Sequence, residues 1–247
     1  MTMKQLYSNY NAADFLVWKT LFERQEKNLK DKACSLYLKS LKEMSSVLHA
    51  DAIPKFEELN QFLAPRTGWE IEVVPGLIPV DEFFALMAER KFCSSTWLRS
   101  MKQLDYLEEP DMFHDIFGHV PLLVDKGYAD LMQRIGKLGV QFKHDALIIE
   151  GLERFYWFTI EFGLILESDK RNIYGAGIIS SFGESKHIFE STIQCDAFDI
   201  DQILETDFDK SSIQQRYYEI SSMEEMQRGL DRLEEIAKGR NRIKKAS

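Results

Sequence analysis

The chain has 247 residues, of which 45% are hydrophobic and 29% are charged, and its formal net charge is −9. Such a chain folds as one large domain or two small ones, and its acidic balance argues against a nucleic-acid partner. The polar N-terminus lacks a secretory signal, and the longest apolar run is too short for a transmembrane helix, which needs about 20 residues. Three cysteines without paired spacing, Cys34, Cys93 and Cys195, indicate reduced thiols, so we expect a cytoplasmic protein without a membrane partner.

The N-terminal part of the chain predicts helices interspersed with two short strands. Apolar residues recur there at helical spacing, and residues 69–73 alternate apolar and charged side chains as a half-buried strand does. Pro54 suits the first turn of a helix that Pro65 and Gly68 close. The predicted elements are helices over 12–30, 32–46, 54–62 and 80–90 and strands over 69–73 and 93–97.

The rest of the chain predicts further helices and a polar stretch that lacks a strong period. The predicted elements are helices over 125–140, 145–167 and 223–238, a short helix that begins within 180–184, and a strand over 217–221. The aspartate-rich stretch over 195–213 is interpreted as solvated surface. The predicted fold is therefore mostly α (α+β), a single helical domain over 1–247 with a few short strands. In it, an N-terminal segment of about 1–66 packs on a core of about 67–190, and 191–247 forms the C-terminal segment.

Two histidines lie five residues apart between two prolines. His114 and His119 are two of only five histidines in the chain. On a straight α-helix, side chains five residues apart point about 140° away from each other, so both can bind one metal ion only if the helix ends or distorts between them. Gly118 permits an unusual backbone just before His119, and Pro121 disfavours helical geometry at the residue before it. Spacing alone leaves two interpretations open: a metal site, or two histidines hydrogen-bonded at a helix end.

Glu161 is the only charged residue within the apolar run over 155–166. A helix that is apolar on nearly all sides is buried, and a buried carboxylate needs a partner. A salt bridge with Arg154 or Arg99 would supply one. A divalent metal ion would instead account for Glu161 and both histidines together.

Two imidazoles and one carboxylate leave part of a metal's coordination sphere open. Non-haem Fe(II) oxygenases use this ligand set, and so do hydrolytic zinc enzymes, so the ligands alone leave both chemistries open. A zinc hydrolase needs a second carboxylate as general base, for which Asp115 is the candidate. An oxygenase needs a dry aromatic pocket, which Tyr156, Trp157, Phe158 and Phe182 offer.

Several blocks of the chain, in the same order, resemble the pterin-dependent aromatic amino acid hydroxylases, and within that family the bacterial phenylalanine hydroxylases. The resemblance covers most of the chain and fades after about residue 190. The matching blocks are 17–25, 56–60, 67–69, 74–79, 105–123, 156–164 and 174–184. This resemblance implies the catalytic-domain fold of that family.

The resemblance also implies roles for individual residues. The family's iron ligands match His114, His119 and Glu161. Its substrate-binding residues match Arg99, Trp157, Gly177 and Ser180. Its pterin-binding residues match Gly76, Ile78, Phe83, Asp115 and Tyr156. Outside the ligand shells, the resemblance implies that Asp111 orients Arg99 and that Ser180 hydrogen-bonds His114.

The reaction implied by the resemblance is hydroxylation of L-phenylalanine to L-tyrosine. Fe(II), dioxygen and a tetrahydropterin co-substrate would react to give a hydroxylated pterin and an iron(IV)-oxo species that attacks the para carbon. The chain departs from the family at Leu107, where animal members carry a threonine, and at Glu153, where a small residue is expected. Compared with animal members, we expect no regulatory domain and no tetramerisation helix, and therefore a monomer or at most a weak dimer.

Three alternatives remain open from the sequence. The chain could hydroxylate another aromatic amino acid, tryptophan or tyrosine. It could be a zinc hydrolase with Asp115 as base, or a non-catalytic member of the fold. The cavity wall contributed by residues after 190 cannot be assigned from the sequence.

Overall fold

The computed structural model describes residues 3–105, 107, 109–190, 193–210 and 212–246. Tyr106, which belongs to the family-like block at 105–123, lies outside the described residues. No helix within the described ranges is long and apolar enough to cross a membrane.

The described residues form ten α-helices, together with short 3₁₀ and π segments. The α-helices are α1 (Ala12–Leu29), α2 (Ser35–Glu43), α3 (Phe56–Thr67), α4 (Val80–Ala88), α5 (Lys126–Gln141), α6 (Ala146–Tyr156), α7 (Ala176–Ser180), α8 (Glu184–His187), α9 (Ile200–Glu205) and α10 (Met223–Ala246). The π-helices are His114–His119 and Trp157–Glu161, and the 3₁₀ segments are Tyr7–Asn9, Met101–Gln103 and Val120–Val124. The predicted mostly helical fold is confirmed.

Six short strands form two small sheets in the described part of the chain. The strands are β1 (Glu70–Val73), β2 (Lys91–Ser94), β3 (Leu164–Glu167), β4 (Lys170–Ile173), β5 (Gln194–Ala197) and β6 (Arg216–Ile220). β1 and β2 pair in parallel. The second sheet has the order β4-β3-β6-β5, in which β3 and β4 are antiparallel and the other two pairings are parallel.

Several predicted boundaries were wrong in the first half of the chain. α2 is shorter than the predicted helix over 32–46, and β2 begins two residues before the predicted strand. Pro54 precedes α3, and Pro65 lies inside that helix. The helix ends at Gly68, which adopts the left-handed conformation with φ +76°, because glycine has no Cβ to oppose it.

The predicted helix over 145–167 was wrong in its last third. α6 passes into the π-helix Trp157–Glu161, and the chain then enters β3. Gly163 makes this change of direction possible: a Cβ there would lie 2.2 Å from the ring of Tyr174. Periodicity could not locate the change, because a continuous apolar run suits a buried helix and a buried strand equally.

One hydrophobic core joins the N-terminal helices to the histidine segment. Phe113 and Phe117 stack with ring centroids 4.7 Å apart, and Trp18 on α1 meets Phe113 edge-on at 5.5 Å. All three rings are fully buried. Burial of such aromatic rings is among the largest apolar contributions to stability. The packing therefore fixes the backbone on which His114 lies.

Candidate metal centre and substrate cavity

His114 and His119 are the first and last residues of one π-helix. The Nε2 atoms of the two rings lie 3.2 Å apart. The prediction that the two side chains converge therefore agrees with the geometry, and the helix between them is distorted rather than ended. A π-helix repeats its hydrogen bonds from residue i to i+5, so its wider turn brings residues five apart onto neighbouring positions.

Gly118 was expected to permit an unusual backbone conformation, but the structure indicates a different reason for a glycine there. It is not among the glycines with positive φ. A Cβ at Gly118 would instead lie 2.9 Å from the carbonyl oxygen of Ala176 and 3.2 Å from the Ala176 Cβ. The missing side chain thus lets the His114–His119 helix approach α7 closely.

Glu161 completes the cluster from the end of the second π-helix. Its Oε1 lies 3.1 Å from Nε2 of His119, and its Oε2 lies 3.6 Å from Nε2 of His114. The two arginines considered as salt-bridge partners pair with other residues: Arg154 with Glu150 and Asp207, and Arg99 with Asp111. A carboxylate thus faces two imidazole nitrogens.

The three side chains fit a bound divalent metal ion. One ligand atom from each of His114, His119 and Glu161 lies within 4.8 Å of the others. Burial lowers the pKa of His114 to about 4, so its imidazole is neutral near pH 7 and able to coordinate. Two imidazoles with one carboxylate suit iron(II) or zinc and leave coordination positions open.

Ser180 fixes the tautomer of His114. Its Oγ lies 2.8 Å from Nδ1 of His114 and 2.8 Å from the carbonyl oxygen of Ala176. A serine hydroxyl has one hydrogen, which the carbonyl accepts, so the oxygen accepts the Nδ1–H of His114. The Nε2 lone pair is thereby left facing His119 and Glu161, which is the arrangement that metal-binding histidines require.

Arg99 and Asp111 form a buried, two-pronged ion pair. Nε and Nη2 of Arg99 each lie 2.8 Å from a carboxylate oxygen of Asp111, and the backbone N–H of Arg99 donates to the same group at 2.9 Å. Asp111 is fully buried, and Arg99 is 6% exposed. The backbone N–H of His114 also donates to Asp111, at 3.1 Å. One carboxylate therefore holds both the arginine and the first residue of the His114–His119 helix.

A cavity of about 610 Å³ opens beside the three candidate ligands. Every residue that the resemblance assigns to substrate or pterin contributes to its wall. On the substrate side these are Arg99, Trp157, Gly177 and Ser180, and on the pterin side they are Gly76, Ile78, Phe83, Asp115 and Tyr156. Asp111 lies behind Arg99.

The part of the cavity lined by Phe83 and Tyr156 is aromatic. The rings of Phe83 and Tyr156 meet edge-on at 5.2 Å, and Tyr156 lies over His119 with centroids 6.3 Å apart. Asp115 accepts the backbone N–H of Ser95 at 3.1 Å. Burial raises the pKa of Asp115 well above the usual range for a carboxyl group.

The sequence did not reveal the wall that follows residue 190. β5 and α9 lie where no element was expected, and Phe208, Lys210, Ser212, Ile213 and Gln214 then line the cavity. One signal was present: Phe208 is the only aromatic residue within 199–213. Lys210 also lies 3.9 Å from Glu153, the glutamate at a position where a small residue was expected. Glu153 therefore has a charged partner in the cavity wall.

Comparisons with known proteins agree with this geometry. A family model described as biopterin-dependent aromatic amino acid hydroxylase matches residues 4–243. The phenylalanine-4-hydroxylase of Ralstonia nicotianae is 42% identical over 87% of this chain and 68% of its own length. That of Chromobacterium violaceum is 44% identical over 87% and 71%.

Solved structures give the same result. The structure of Chromobacterium violaceum phenylalanine hydroxylase with bound iron(III) and 7,8-dihydrobiopterin aligns with a TM-score of 0.87 at 42% identity, over 91% of this chain and 81% of that one. A structure of the same enzyme bound to iron and phenylalanine aligns with a TM-score of 0.84 at 40% identity, over the same shares. This chain belongs to the family of biopterin-dependent aromatic amino acid hydroxylases.

Proposed function

We propose that the chain is a phenylalanine 4-monooxygenase, which converts L-phenylalanine to L-tyrosine with iron(II), dioxygen and a tetrahydropterin. The observation that carries this proposal is the convergence of His114, His119 and Glu161 on one wall of an aromatic cavity. The phenylalanine-4-hydroxylases among the relatives support the choice of substrate.

Iron would be held by the two Nε2 atoms and the Glu161 carboxylate. When bound, it supplies the redox chemistry that activates dioxygen. One oxygen atom enters the amino acid, and electrons from the pterin reduce the other. The contribution of the protein is to place both organic reactants and to exclude water.

Arg99 is the proposed anchor for the substrate carboxylate. Of its five N–H bonds, one on Nε and one on Nη2 donate to Asp111, which leaves three for a ligand. Because Asp111 is fully buried and binds through both oxygens, the guanidinium plane cannot rotate freely. Arg99 thus presents a fixed, charged edge to the cavity.

Trp157 and Gly177 are proposed to shape the space for the aromatic ring. Trp157 begins the π-helix that ends at Glu161, so the indole is positioned by the same turn as the carboxylate ligand. A Cβ at Gly177 would lie 2.9 Å from the ring of Phe162. Glycine therefore lets α7 pack against that ring while Ser180, on the same helix, reaches His114.

The pterin is proposed to lie on the other side of the metal ligands from the substrate. Phe83 offers a ring face for stacking, since its edge contact with Tyr156 holds its orientation. Gly76 and Ile78 bring the backbone before α4 to the same side. Ring stacking combined with backbone hydrogen bonds is a general way to hold a flat heterocycle.

We also propose that the whole chain acts as one catalytic domain, as a monomer in the cytoplasm. The hydrophobic core supports a single domain, because one cluster of buried side chains runs from Val17 to Ala237. The three cysteines are unpaired, as expected in a reducing compartment. Sedimentation equilibrium at micromolar concentration tests the monomer: a concentration-independent mass of one chain supports it, and a stable dimer contradicts it.

The function is tested by loading the protein with Fe(II) without oxygen and then adding phenylalanine, tetrahydrobiopterin and air. Tyrosine is the expected product, and the Zn(II)-loaded protein should make none. His119→Ala should abolish product formation, whereas the matched variant His144→Ala, at an exposed histidine, should not. Iron binding without tyrosine would overturn the proposal. Preferential turnover of tryptophan or tyrosine would overturn the choice of substrate.

A further inference from the structure

Gln214 lies at the end of a segment that closes the substrate side of the cavity. We call residues 208–214 the wall segment, of which 211 lies outside the described residues. Gln214 is 6% exposed, although its neighbours Ser212, Ile213 and Gln215 are exposed. Its Oε1 accepts the indole N–H of Trp157 at 3.0 Å. We propose that Gln214 is a positioning residue that sets the orientation of the Trp157 ring and thereby the position of the substrate ring.

Both ends of the Gln214 amide are hydrogen-bonded. While Oε1 accepts from Trp157, Nε2 donates to the carbonyl oxygens of Asp209 at 2.8 Å and Ser212 at 3.0 Å. These two carbonyls belong to the wall segment itself. A primary amide is the side chain that supplies two donors and one acceptor in one plane, so Gln214 joins the indole to the backbone of the segment.

The backbone at Gln214 is held independently. Its N–H donates to Oε1 of Glu184 at 3.1 Å, and Oε2 of Glu184 accepts the hydroxyl of Tyr217 at 2.6 Å. Glu184 and Tyr217 are both buried. The glutamine is thus anchored to α8 and β6, so it can impose an orientation on Trp157 rather than follow it.

Trp157 needs such a contact because its other neighbours are apolar. The indole stacks on Phe208 with centroids 4.6 Å apart at 22°, and it meets Phe162 at 4.7 Å and 43°. The indole turns about its two side-chain torsions, and the apolar attraction of these neighbours is not directional. The indole N–H is the only hydrogen-bonding group of the Trp157 side chain, so its bond to Gln214 selects one side-chain orientation.

The orientation of Trp157 matters to the reaction through Glu161. The two residues begin and end one π-helix, so the indole and the metal-facing carboxylate share one short, rigid element. If the indole turns, the phenylalanine ring loses its fixed distance from the metal. A substrate ring without a fixed wall binds more weakly, and a misplaced ring lowers the share of pterin oxidation that leads to tyrosine.

The test compares Gln214→Met with Gln215→Met. Methionine matches glutamine in length but removes the hydrogen bonds, and Gln215 is the exposed neighbour. For Gln214→Met we expect the KM for phenylalanine to rise roughly five- to tenfold, with kcat within about twofold, as the loss of one buried hydrogen bond predicts. The tyrosine formed per pterin oxidised should also fall. Gln215→Met should match the wild type in all three quantities.

A double-mutant cycle separates positioning from a merely structural effect. Trp157→Phe removes the indole N–H and with it the only route by which Gln214 is proposed to act. In that background, Gln214→Met should leave the KM and the coupling ratio of the Trp157→Phe enzyme unchanged. A further rise in KM of the same size in both backgrounds would overturn the proposal. If Gln214→Met does not fold, Gln214→Leu, which also lacks the acceptor oxygen, takes its place in the same cycle.

This inference rests on the proposed function, because that function assigns Trp157 to the substrate wall. Experiments can contradict the proposed function and this inference separately. A wild-type protein that binds iron but makes no tyrosine contradicts the function. A wild-type protein that makes tyrosine, together with a folded Gln214→Met variant of unchanged KM and coupling, contradicts the inference alone.

Discussion

Ser180 Oγ lies 2.8 Å from Nδ1 of His114, and the serine hydrogen is committed to the carbonyl of Ala176. The hydroxyl oxygen therefore accepts from the imidazole and leaves Nε2 free for a metal ion. We expect Ser180→Ala to weaken Fe(II) binding by about 10- to 100-fold, as the loss of such outer contacts does in other metal sites. Anaerobic titration with Fe(II) measures this.

The matched control is Ser181→Ala. In the wild type, the hydroxyl of Ser181 accepts the backbone N–H of Glu184 and does not contact the histidines. Iron affinity should stay near that of the wild type in this variant. Equal affinities in Ser180→Ala and the wild type would show that Ser180 does not fix the tautomer.

Gly118→Ala tests the close approach of the His114–His119 helix to α7. The new Cβ would lie 2.9 Å from the Ala176 carbonyl oxygen, so one of the two helices must move. Overpacking of this kind costs about 1–3 kcal/mol in the free energy of unfolding. Urea denaturation measures the loss. Gly239→Ala is the control, because no atom lies within 4 Å of its Cβ position and alanine favours a helix by up to about 1 kcal/mol.

Asp111→Asn tests the anchor of Arg99. Removal of one charge from a buried ion pair leaves the other uncompensated and costs about 3–5 kcal/mol. We expect lower stability together with a raised KM for phenylalanine, because the guanidinium is no longer held in plane. Asp51→Asn, which removes a carboxylate that is 81% exposed and lies 3.5 Å from Lys19, should change neither quantity. An unchanged KM in a folded Asp111→Asn protein would contradict the proposed role of Asp111.

Glu184 predicts a pH dependence of stability. Burial raises its pKa, although Tyr217 and Gln214 donate to the carboxylate. A carboxyl with a higher pKa in the folded chain stabilises the fold below its unfolded pKa, about 4.3, and this stability is lost as the pH rises through the folded pKa. Glutamine does not ionise. The Tm of Glu184→Gln relative to the wild type should therefore increase as the pH rises from about 4 to 7.

Thermal scans at several pH values measure this difference. Glu205→Gln, at an exposed glutamate, is the matched control. A Tm difference for Glu184→Gln that is constant over the same range would contradict the assignment.

The sequence predicted the convergence of the cluster but not the backbone that produces it. Charge and burial alone pointed to Glu161, because a lone carboxylate within an apolar run needs a partner. The π-helix could not be predicted, because hydrogen bonds to residue i+5 leave no periodic signature in six residues. Gly118 was singled out correctly but for the wrong physical reason, since the close neighbour Ala176 lies far away in the chain.

The wall segment is a second feature that could not be predicted from the sequence. It overlaps the end of the aspartate-rich stretch over 195–213, which was interpreted as solvated surface. Gln214 is nevertheless buried because Trp157, Glu184 and the turn around Asp209 hydrogen-bond it from three directions. Such long-range polar contacts depend on the assembled fold and are invisible to local pattern analysis.

The central claim is that a metal ion held by His114, His119 and Glu161 activates dioxygen for hydroxylation of phenylalanine. The most direct measurement is the mass spectrum of tyrosine made by the Fe(II)-loaded protein under ¹⁸O₂ in unlabelled water. One ¹⁸O atom in the tyrosine hydroxyl, with no product from Glu161→Ala, is the predicted result. Unlabelled tyrosine, or none at all from the iron-loaded protein, would contradict the claim.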